Sequence, residues 1–98
     1  MKTVFSHSVY LSCRYAWVVR QLQRGMAHAN AEIPLVEMRM LERWMKEARQ
    51  LRERKGFNET KAQRVVSLLL NVSSMLEKHV PALAELTREL REAEKHNN

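Results

Sequence analysis

Apolar residues recur along this chain at helical spacing. Val4, Leu11, Tyr15, Val18, Leu22, Met26 and Ala29 fall on one narrow stripe at about 100° per residue, which predicts a first helix over residues 4–29. Asn30 breaks the pattern. Pro34 suits the first turn of a second helix, residues 34–55, where its missing N–H has no bond to lose. That helix is expected to bury Met38, Leu41, Trp44, Met45, Ala48 and Leu51, and to turn Arg39, Glu42, Arg43, Lys46, Glu47, Arg49 and Glu53 to water. Glu42–Lys46, Arg43–Glu47 and Arg49–Glu53 are spaced for ion pairs along it. Gly56 is placed to end it in the left-handed conformation. Asn58 then caps a third helix, with Glu59 at the positive end of its dipole.

From Ala62 a seven-residue repeat sets in. Ala62, Leu69, Leu76, Leu83 and Leu90 lie on one line, with Val65, Val72, His79, Leu86 and Ala93 three residues later. Pro81 removes a backbone donor and clashes with the preceding turn, so the helix either kinks there or gives way to a fourth, dividing the region into residues 59–79 and 81–96. The repeat stays in phase across Pro81, favouring a kink or a tight break. A continuous helix would overhang its partners at about 1.5 Å per residue. The overhanging seam of Leu76, Leu83, Leu86 and Leu90 then points to a second copy of the chain, and a homodimer is expected.

Composition agrees with a single all-α domain over residues 1–98, an antiparallel bundle of three long helices with the third bent or split. The chain has only two glycines, two prolines and 6% aromatic residues. No sheet is expected. A single cysteine, Cys13, fits a reducing compartment, and a cytoplasmic protein is expected. His7, His28, His79 and His96 share no metal-ligand spacing with it or with one another. No apolar run is long enough to span a bilayer. There is no aspartate, no glycine-rich phosphate loop and no H-E-x-x-H or E-x-x-H pattern, so neither catalysis nor a cofactor is expected.

Charge changes the picture more. The net charge is +6, and residues 1–31 carry Lys2, Arg14, Arg20 and Arg24 with no acid. Acid-free, amphipathic and bearing Ser and Arg, this stretch has the composition of a mitochondrial presequence. The length and regularity of its apolar stripe instead predict a helix of the fold, without which only two helical units would remain. Opposite the stripe lie Tyr10, Cys13 and Trp17, flanked by Arg20 and Arg24. Trp, Tyr and Arg dominate protein-binding hot spots, so this face is the expected partner site. The same residue types can stack on bases and grip phosphates, or the helix can bury two sides in its own bundle. Around the second inter-helix turn gather Lys46, Arg49, Arg52, Arg54, Lys55, Lys61 and Arg64, an alternative nucleic-acid patch diluted by Glu47, Glu53 and Glu59. No recognition helix follows, because Lys61 to His79 runs on without a turn residue. Met26, Met38, Met40, Met45 and Met75 serve either as core filling or as an adaptable groove. The expected function is thus a small protein-interaction module, such as an adaptor, chaperone or regulator. A basic nucleic-acid-binding regulator is the alternative.

Overall fold

The computed structural model describes residues 5–96, which fold as helices joined by short turns. Helix α1 spans His7–His28, α2 Leu35–Glu53, α3 Glu59–Glu77 and α4 Ala84–Lys95, the last entered through a 3-10 turn, Pro81–Leu83. Val4, expected on the first apolar stripe, lies outside the described residues.

The turn chemistry explains these boundaries. Ser6 caps α1, its Oγ accepting the Val9 N–H at 3.3 Å, and Asn58 caps α3 by accepting the Lys61 N–H at 2.9 Å. Gly56 has φ +79°, the left-handed region that only glycine enters without strain, and it turns the chain from α2 into α3. At Pro81 the chain splits. α3 ends at Glu77, and Val80 leaves the helical region (φ −132°, ψ 81°), as a residue before proline tends to do. α4 then folds back along α3.

The contacts fix the directions. Glu47 meets Arg64 and Glu37 meets Lys78, so α2 and α3 are antiparallel. Ser73 meets Thr87 across the Pro81 turn, so α3 and α4 are antiparallel too. α1 runs parallel to α3, because His7 lies beside Glu59 and Gly25 beside Leu76. The result is an up-down-up-down bundle with α3 as its spine. α3 buries nine residues around most of its circumference, whereas α2 buries only Leu41 and Ala48. α2 is thus a flank held by one side.

The core is aliphatic. Leu11, Val18 and Leu22 of α1, Leu41 of α2, Val65, Leu68, Leu69, Val72 and Leu76 of α3, and Leu90 of α4 are fully buried; each such side chain contributes roughly 1.5–3 kcal/mol. Leu83 and Leu86 are buried as well. The seam Leu76, Leu83, Leu86 and Leu90 is therefore spent inside the chain, and the overhang that pointed to a second copy does not exist. A repeat every seven residues suits two antiparallel helices packed face to face as well as one long helix. Two hydroxyls sit in this core, Ser73 Oγ and Thr87 Oγ1, 2.7 Å apart, and Thr87 also donates to the Leu83 carbonyl at 3.0 Å.

Candidate interaction surface

The acid-free first helix borrows acids from later in the chain. Glu59, at the start of α3, accepts four hydrogen bonds at the start of α1: from Ser6 Oγ at 3.0 Å, the His7 N–H at 2.7 Å, His7 Nδ1 at 2.5 Å and the Ser8 N–H at 3.1 Å. Burial works to raise the Glu59 carboxyl, but these donors outweigh it and hold its pKa at about 2. His7 is itself buried, with Phe5 edge-on at 5.0 Å, and among the described residues its Nε2 is a buried side-chain nitrogen without a hydrogen-bond partner. Farther along, Glu89 of α4 accepts from Tyr10 Oη at 2.5 Å and from Arg14 Nε and Nη2 at 2.9 and 2.7 Å. Burial first, and then the Glu89 carboxylate, push the Tyr10 phenol well above its ordinary range.

Tyr10 therefore does not share an outward face with Cys13 and Trp17. It is half-buried and turned to α4, because α1 is packed on two sides, against α3 and α4. The outward face of α1 carries Val9 (63% exposed), Cys13, Trp17, Arg20 and Arg24. The Arg14 guanidinium lies 4.0 Å from the Trp17 ring centre and anchors that indole. Arg20 and Arg24 are exposed and make no ion pair among the described residues.

The cations around the second turn are not a free cluster. Arg64 is held by Glu47 at 3.0 Å, and Arg52 lies over the rings of Tyr15 at 4.8 Å and Phe57 at 5.5 Å. Arg49, Arg54 and Lys55 are exposed and Lys61 is half-buried. The pairs expected along α2 do not form. Glu47 turns from Arg43 to Arg64 of α3, and neither Glu42–Lys46 nor Arg49–Glu53 closes among the described residues. A cavity of about 460 Å³ lies between α1 and α2, lined by Tyr15, Val19, Arg49, Arg52 and Glu53.

The surface that the sequence reading missed is on α2. Leu35 is 64% exposed, Val36 70% and Met40 37%. Val36, Met40 and Trp44 stand four residues apart and so share one flank of the helix. Val36 and Met40, with Arg39 and Arg43, line a shallow depression of about 340 Å³. Trp44, the next residue along the flank, lines another of about 410 Å³ with Asn71, Ser74 and Met75 of α3 and Lys78 just after it. The two carboxylates of α2 that turn toward α3 are neutralised. Glu37 is held by Lys78 and His79, each at 3.4 Å, and Glu47 by Arg64. Among the described residues Arg39 and Arg43 make no ion pair. Met26, Met38, Met45 and Met75 pack half-buried against the core, so Met40 alone of the expected methionine set is exposed. The available signal was the i, i+4, i+8 spacing of Val36, Met40 and Trp44, displaced to one side of Leu41 and Ala48.

Among the described residues, no three His, Cys or Glu side chains converge as metal ligands, and no helix is long and apolar enough to cross a membrane. Cys13 is exposed and unpaired. Fold and surface together define a small helical bundle with exposed apolar positions beside unpaired arginines on α1 and α2. The chain matches no family model, no curated protein and no solved structure.

Proposed function

We propose that this protein is a protein–protein interaction module that engages a partner through the exposed flank of α2. The observation that carries this reading is the pairing of exposed Val36 and Met40 on one flank of α2, next to Arg39 and Arg43, which make no ion pair among the described residues. Contiguous apolar side chains rimmed by polar groups mark interaction sites, whereas single exposed ones need no explanation. The outer face of α1, with Val9, Trp17, Arg20 and Arg24, supplies a second surface on another helix, which suits an adaptor. The nucleic-acid reading is weaker because Arg52 and Arg64 of its patch are already engaged within the chain.

The test is recovery of the tagged protein from its native cells at low and high salt, alongside a Val36→Asp/Met40→Asp variant. A protein partner that stays with the wild type at high salt and is lost from the variant is the expected result. Recovery of nucleic acid that falls away steeply with salt, unaffected by the variant, would replace this reading with the alternative.

A further inference from the structure

The α2 flank has a chemistry that selects its occupant, an inference that rests on the interaction reading above. Its centre is aliphatic and aromatic, with Val36 and Met40 leading to Trp44, and it is closed on the α3 side by Met75. The charged side chains that line its first depression have one sign. Among the described residues Arg39 and Arg43 make no ion pair, Glu37 and Glu47 are tied to α3 and the turn after it, and Glu42, exposed and also without an ion pair, is not part of the lining. We propose that this flank docks a helix of an acidic partner protein, with apolar side chains filling the two depressions and carboxylates meeting Arg39 and Arg43.

Three other occupants fit less well. In a two-fold dimer each patch meets its own copy, so Arg39 and Arg43 would be brought against the arginines of a second depression whose lining holds no carboxylate. A phosphate backbone gains nothing from Val36 and Met40, which would be buried without an apolar counterpart. An anionic lipid surface would satisfy the arginines, but Trp44 and Met75 are half-buried in a depression that lies between two helices, not on a protruding edge. A partner helix instead places residues at i, i+4 and i+7 against an i, i+4, i+8 row. The methionines Met40 and Met75 let the groove adjust to it.

The experiment uses the full chain with Trp17→Phe, so that Trp44 is its sole indole. The probes are two synthetic peptides of about twenty residues, long enough to hold a helix in water. They have the same leucine stripe, and one carries Glu and the other Lys on the flanking positions. Phosphatidylserine vesicles and a single-stranded DNA oligonucleotide are the remaining arms.

The glutamate peptide is expected to shift Trp44 emission saturably and to bind about tenfold or more tightly than the lysine peptide, a difference worth about 1.4 kcal/mol. Arg39→Glu/Arg43→Glu is expected to invert that preference with the circular dichroism spectrum unchanged, both positions being exposed. Val36→Asp removes binding of both peptides. Equal binding of the two peptides overturns the proposal. So does binding of vesicles or DNA through Arg39 and Arg43 where the glutamate peptide fails, or a dimer by light scattering that Val36→Asp dissolves. If the glutamate peptide fails while a cellular protein still depends on Val36 and Met40, the acidic-helix assignment falls and the interaction reading stands. If that dependence is also absent, both fall.

Discussion

Replacing Thr87 by Val keeps the shape of the side chain and removes the middle of a buried hydrogen-bonded chain. Ser73 donates to Thr87 at 2.7 Å and Thr87 donates to the Leu83 carbonyl at 3.0 Å, with Ser73 and Thr87 essentially inaccessible to water. Thr87→Val leaves the Ser73 hydroxyl without its acceptor and the Leu83 carbonyl without this donor. The expected cost is about 1–3 kcal/mol, the penalty of an orphaned buried polar group. Ser73→Ala leaves the Thr87–Leu83 bond in place and should cost about 0.5–1.5 kcal/mol. The double variant lacks both bonds but strands no hydroxyl, so it should cost no more than Thr87→Val alone. Urea unfolding followed by far-ultraviolet circular dichroism measures all four proteins. In a domain of this size each kcal/mol also moves the melting temperature by about 4–8 °C. Costs that add to within about 0.5 kcal/mol would refute the coupling. A midpoint that climbs with protein concentration would show that self-association adds to the measured stability.

Two further outcomes follow from the contacts of α1. Glu59 has its pKa depressed to about 2, so the stability it adds is complete above the unfolded carboxyl value of about 4.3 and drains away as pH falls toward 2; Glu59→Gln should flatten that acid limb in a pH series of melts, and an unchanged limb would show that the carboxylate does not govern it. Gly25 is buried against Leu76 and Leu83, whose methyls would lie 3.0 and 3.2 Å from an added Cβ. Gly25→Ala should stay within about 1 kcal/mol of the wild type, helix propensity offsetting the squeeze, whereas Gly25→Leu should lose about 1–3 kcal/mol; equal melting temperatures for the two would count against the close approach.

Much of the fold was legible because local signals and the packing agree. The heptad positions of α3, Ala62, Val65, Leu69, Val72 and Leu76, are all buried, with Val66, Leu68, Leu70 and Ser73 buried beside them, and Gly56, Asn58 and Pro81 each act at the position where their backbone chemistry has an effect. What could not be read was set by neighbours distant in the sequence. The sequence places Tyr10 outward because a single stripe cannot show that α1 is covered on a second side by α4. His7 was not expected in the core, and its burial depends on Glu59. Glu47 could satisfy Arg43 or Arg64 equally by charge, and only the antiparallel register of α2 and α3 chooses Arg64. Val36 and Met40 remain exposed because no helix covers that flank of α2. Periodicity marks a residue as apolar on a given face without stating whether a neighbour stands opposite.

The dependence of α1 on distant acids also orders the chain in time. During synthesis α1 leaves the ribosome first, yet the carboxylate that holds its opening turn stands 52 residues after His7, and the one that pins Arg14 stands 75 residues after it. Until α3 emerges, the amides of His7 and Ser8 have no Glu59 to accept them. Until α4 emerges, the side of α1 that bears Tyr10 and Arg14 faces water. α1 is thus completed only after both α3 and α4 have been made, and a nascent chain cut short before Glu89 leaves Tyr10 and Arg14 without their carboxylate.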